Sequence, residues 1–148
     1  VQGEQLLPLT SPYPAGLVGT MPSLYQLLPR GRHGGLVVAG DRAQRVVDLY
    51  DVRLWERMRW GLLDPAQDDV LRVLLPDVTT AAGRRRIARD HLAKSLARAR
   101  QLTDALDVPA RRPDGLDLYL VAGDAVPTPA VASVDERDGS RDPRDRPR

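Results

Sequence analysis

Five serines, two histidines and no cysteine set the limits of nucleophilic chemistry in this 148-residue chain. A serine becomes a nucleophile on a strained G-x-S-x-G turn, with a base to take its proton and a carboxylate to orient that base. Ser11, Ser23, Ser95, Ser133 and Ser140 all lie outside such a motif. His33 stands in Arg32-His33-Gly34-Gly35, a glycine-flanked setting like an esterase oxyanion loop. An exposed turn histidine is the simpler reading. His91 falls on or beside the apolar stripe of a helix, where a packed, hydrogen-bonded imidazole is the simpler reading. No second histidine stands near enough in sequence to suggest a metal pair. Asp124 directly follows an apolar run, as an α/β acid would, or it caps a turn through its own side chain. Trp55, Met58 and Trp60 form the one concentration of large, polarisable side chains. They suit either contact with a lipid acyl chain, as a lid, or the packing of a short amphipathic helix.

These residues need elements to hold them. Pro22 fits the first position of a helix that ends before Pro29. Leu36-Val37-Val38 and Arg45-Val46-Val47-Asp48 predict a small β-hairpin. Asp51 caps a helix carrying Leu54, Trp55 and Met58. Asp64-Pro65 starts another, with Asp68 and Asp69 at the positive end of its dipole. The longest helix is expected over 79–106, its apolar stripe running through Ile87, His91 or Leu92, Ser95, Ala99, Leu102 and Leu106. Arg84-Arg85-Arg86 near its start is out of keeping with the dipole. Leu116-Asp117-Leu118-Tyr119-Leu120-Val121-Ala122 reads as a strand that begins alternating and becomes wholly apolar, as a buried strand does. From about Ser133 onward Asp, Arg, Pro and Gly dominate. That composition cannot bury apolar area, so 132–148 is expected to be a disordered tail, after a domain over 1–131.

The charges nearly cancel: 22 basic against 20 acidic residues leave +2. That balance offers no footprint for nucleic acid. The absence of cysteine excludes a disulfide framework and a thiolate metal site, and no cofactor is expected. With no visible signal peptide, it favours a reducing, cytoplasmic setting. No stretch is apolar and long enough to span a bilayer.

Two motifs carry a family resemblance. Pro22-Ser23-Leu24-Tyr25-Gln26-Leu27-Leu28-Pro29 resembles the PSxYxLLP segment of lecithin:cholesterol acyltransferase-like hydrolases. Leu118-Tyr119-Leu120-Val121-Ala122-Gly123-Asp124-Ala125-Val126-Pro127-Thr128-Pro129 resembles their late core strand and the VPTP turn after it. Between them, Trp55 to Leu62 is similar to the lid of such proteins. The resemblance covers 17–130. It implies an α/β fold: a partial α/β-hydrolase with a mostly helical lid or cap, one late core strand and a small hairpin. It implies a serine that attacks a lipid ester and passes the acyl group to water or an alcohol. The family's serine lies before PSxYxLLP, its acid in a GDGTV turn after VPTP, and its histidine beyond. This chain offers only Asp138-Gly139-Ser140 near that place. No catalytic residue is therefore assigned; Trp55, Met58 and Trp60 are the expected lipid contacts, with a lipid or ester as the partner of the whole enzyme. A peripheral membrane contact is compatible with this. The alternative is a small helical module whose basic helix engages an acidic partner or a membrane surface.

Overall fold

A computed structural model describes residues 13–29, 35–38, 45–119, 121, 123 and 131–134. Its architecture is mixed α and β: five α-helices and a two-stranded sheet among the described residues. Helix α1 is Ala15–Val18 and α2 is Pro22–Tyr25, with Pro22 in its first turn. Strand β1 is Gly35–Val38 and α3 is Val52–Met58. Two 3₁₀ turns, Gly61–Leu63 and Pro65–Gln67, lead into α4, Asp68–Leu74. Helix α5 is Ala81–Leu106 and β2 is Val131–Val134.

The capping signals read from the sequence are used as expected. Asp51 Oδ1 accepts the Arg53 N–H at 2.9 Å, and Asp64 Oδ1 accepts the Ala66 N–H at 2.9 Å. Thr80 Oγ1 accepts the Gly83 N–H at 3.1 Å and starts α5. The buried face of α5 keeps Leu92, Ser95 and Ala99 of the expected stripe and departs from it towards both ends. It runs through Arg84, Ala88, Leu92, Ser95, Leu96, Ala99 and Thr103, while Ile87 and Leu102 are partly exposed and Leu106 mostly so. The small side chains of Ala88 and Ala99 let Tyr25, Leu62, Leu63 and Leu71 close on Leu92 and Leu96, forming the first apolar cluster.

The β layer departs further from expectation. Val37 bridges Val46 in antiparallel fashion, with Val38 N–H to Arg45 O at 3.1 Å and Val47 N–H to Leu36 O at 2.7 Å. The expected hairpin is thus present as a short ladder. Beside it, β1 pairs in parallel with β2, Gly35 opposite Val131 and Val38 opposite Val134. A second apolar cluster joins Val134 to Val47, Leu49, Leu54 and Met58. The boundary expected at 131/132 therefore cuts through a strand, and residues 132–134 are ordered in the sheet; the rest of the expected tail lies outside the described residues.

The expected late core strand is not formed. Leu116–Tyr119 and Val121 lie outside any strand, Leu118 at 71% and Val121 at 94% exposure. A buried strand needs neighbours on both edges. The described sheet is β1 with β2, and it gives this stretch none. Leu120, Ala122 and Asp124 fall outside the described residues.

Candidate functional site

The aromatic cluster is held by α3. The helix stops where Arg59 turns left-handed, at φ 52°, which swings Trp60 back over the helix. Trp55 then stands between the two apolar clusters. Its ring meets Tyr25 edge-on at 5.6 Å and Trp60 edge-on at 5.9 Å. Its Nε1–H donates to Leu49 O at 2.8 Å. Met58 is 6% exposed and belongs to the second cluster. The structure thus brings Trp55, Met58 and Trp60 together, but as part of the interior. Trp60 remains half-buried. A lipid would touch Met58 only after α3 moved.

The motif residue Tyr25 is a fixed post of this arrangement. It is buried, and its hydroxyl donates to Gly19 O at 2.7 Å. Burial pushes its phenol up to about 12. Gly19 is required by the approach itself: a Cβ there would lie 2.8 Å from Leu62 Cγ and 3.3 Å from the Tyr25 hydroxyl.

One serine stands near a histidine. Ser95 Oγ and His91 Nε2 are 3.5 Å apart, one turn from each other on α5. That distance is at the outer limit of a hydrogen bond. Ser95 is buried at 3% exposure, so a substrate carbonyl has no route to its oxygen. The pair reads as interior packing of two polar side chains. His33 and Asp124 lie outside the described residues. No group of three acidic or histidine side chains fit to hold a metal occurs among the described residues. No described helix is long and apolar enough to cross a membrane.

The arginine run finds its explanation at Arg84. This guanidinium is 4% exposed. It holds Asp68 with both arms, Nε to Oδ1 at 3.0 Å and Nη2 to Oδ2 at 2.7 Å. Its Nη1 also donates to Val78 O at 2.9 Å and Thr79 O at 3.2 Å. The carboxylate and the two carbonyls offset the unfavourable dipole position. The Arg84 hydrogen bonds hold the Asp68 carboxyl below the usual carboxylate range, and Asp68 in turn raises Arg84. The sequence contained a signal here: a cation forced into a helix start asks for a compensating acid. Which acid answered, sixteen residues back, was not legible.

The same pair fixes the walls of a groove of about 420 Å³ between α4 and the start of α5. Its lining includes the core residues Leu62, Leu63 and Leu71 and the exposed Ala81, Ala82 and Arg85. Three of the six remaining cations of α5 meet acids within the chain. Arg89 meets Glu56 at 3.2 Å and Lys94 meets Asp90 at 2.7 Å. Arg100 meets Asp48 at 2.7 Å and lies over the Tyr50 ring.

Neither models of protein families, nor characterised proteins, nor solved structures give a match to this chain.

Proposed function

We propose that this chain is the cap and a share of the sheet of a serine hydrolase or O-acyltransferase acting on lipid esters. It shapes the apolar surroundings of the ester and leaves the attack to residues outside it. The observation that supports this best is the parallel pairing of β1 with β2 across an intervening run of α3, α4 and α5. Parallel strands need a long crossover, and a helical crossover is the habit of α/β sheets. The resemblance of Pro22–Pro29 to PSxYxLLP points the same way, with Tyr25 as the residue that ties α2 to Trp55 and α5.

A two-stranded parallel sheet is small for independent stability. On this reading its further strands, the G-x-S-x-G serine and the histidine belong to neighbouring polypeptide. Trp55, Met58 and Trp60 then form the inner lining of a lid that meets lipid when α3 lifts. The reading of α5 as a basic docking helix is less favoured, because Arg84, Arg89, Lys94 and Arg100, four of its seven cations, are each engaged by an acid of the same chain.

The coding sequence on either side tests the proposal. It should encode G-x-S-x-G ahead of Val1 and a histidine after Arg148. Ordinary start and stop signals at those two ends, without either motif, would remove the proposal's basis.

A further inference from the structure

We propose that Asp114 is a site of spontaneous covalent modification, where the side chain cyclises onto the Gly115 nitrogen and reopens as isoaspartate. The inference is independent of the hydrolase reading, because the reaction needs only these two residues and water.

Such a cyclisation requires a free carboxyl, a free amide N–H after it, an unobstructed approach and a backbone able to turn. Asp114 is exposed, and its carboxyl has no hydrogen bond or ion pair among the described residues. The Gly115 N–H has no acceptor among them either. Gly115 sits at φ 79°, and a Cβ there would meet nothing within 4 Å. The turn that carries the pair is closed by Leu116 N–H to Pro113 O at 3.4 Å, a long and weak hydrogen bond. Exposed backbone held by so little opens locally at small cost.

The other described aspartates differ. Asp114 alone among them precedes a glycine. Asp48, Asp51, Asp64, Asp68 and Asp90 are held by hydrogen bonds. Pro65 after Asp64 has no N–H to attack with. Asp104 lies within α5, where the helix fixes the backbone. Asp117 is also exposed, but the branched side chain of Leu118 stands over the next amide. Asp138-Gly139 lies outside the described residues.

The step balances without an oxidant or cofactor. The Gly115 nitrogen gives up its proton and bonds to Asp114 Cγ, and the carboxyl hydroxyl leaves with that proton as water. Water then adds to one of the two imide carbonyls. Opening at Cγ restores aspartate. Opening at the main-chain carbonyl breaks the original peptide bond and leaves isoaspartate. The product has an extra methylene in the main chain and its carboxylate on Cα. It falls between α5 and the exposed apolar residues Leu116, Leu118, Tyr119 and Val121.

Ageing the full chain in heavy-oxygen water at neutral pH tests the site. Each passage through the imide leaves one heavy oxygen on Asp114. Tryptic digestion in ordinary water then separates residues 112–137 from Asp138-Gly139, and electron-transfer fragmentation places the label and distinguishes isoaspartate from aspartate. Label and isoaspartate should accumulate at Asp114 as fast as in a free peptide of residues 111–118. Asp117, in the same fragment, should stay unlabelled. Asp114→Glu should lose the signal, because its larger imide forms far more slowly. An unlabelled Asp114 while the peptide reacts, equal label at Asp114 and Asp117, or a signal that survives Asp114→Glu would each overturn the site.

Discussion

Two apolar stretches of this chain meet opposite fates. In α5, Leu92 and Leu96 are sealed beneath Tyr25, Leu62 and Leu63. Only a short distance further on, Leu116, Leu118, Tyr119 and Val121 stand in solvent. The second stretch is the more apolar in sequence. The difference lies in what each element needs. A helix satisfies its own backbone and needs one partner face. A strand needs other strands for its hydrogen bonds as well as cover for its faces. Helix α5 finds its partners in residues 25–71 of the same chain. The later stretch has no described strand beside it.

Truncation should separate the two regions most sharply. Leu92, wholly buried, should cost about 2–5 kcal/mol as Leu92→Ala. Leu118→Ala, in the exposed stretch, should change stability by no more than about 0.5 kcal/mol. Urea midpoints with unchanged slopes measure both. Similar losses would mean that the two stretches are buried alike and would break the comparison.

The Arg84–Asp68 contact should show next, through its pH dependence. Arg84→Met removes the partner that holds the Asp68 carboxyl low. A carboxyl lowered in the folded state contributes stability above its unfolded pKa, near 3.9, and loses it as pH falls through the folded value. The variant should therefore lie below the parent at pH 7, and the gap should narrow below about pH 4. Denaturation midpoints from pH 7 to pH 2 read this out; a constant gap would show that the loss is packing alone.

A smaller effect belongs to Tyr25→Phe, which leaves Gly19 O without its donor and should cost about 1 kcal/mol. The raised phenol works in the alkaline direction. Its contribution is complete below the unfolded pKa near 10 and is lost as pH rises towards about 12, where the folded phenol ionises. The parent should lose stability across that window more steeply than Tyr25→Phe. Loss of the Thr80 cap as Thr80→Ala should also cost about 1 kcal/mol, read by urea as a shift without a change in slope.

The helices were legible because their signals are local. Asp51 and Asp64 cap what they were expected to cap. The start of α5's buried row was not, because it depends on Arg84 meeting Asp68 and on Ala88 joining the cluster of Tyr25 and Leu63. Strand β2 escaped notice for a similar reason. Val131-Ala132-Ser133-Val134 is short, borders a run of charge, and pairs with β1 about a hundred residues earlier. The aromatic trio was found from residue type, but only geometry showed Trp55 bonded to Leu49 and Met58 enclosed. The absence of a G-x-S-x-G serine was plain from the sequence. The burial of Ser95 followed from its place on the apolar stripe, and its contact with His91 did not.

Ester turnover compares directly what this chain does alone with what it does in company. Hydrolysis of a p-nitrophenyl acyl ester should be measured for residues 1–148 and for the same chain extended by its flanking coding sequence. The proposal predicts no turnover from the first, and turnover from the second that vanishes when the G-x-S-x-G serine is replaced by alanine. Turnover by the isolated chain, abolished by Asp124→Asn or by Ser95→Ala, would contradict it.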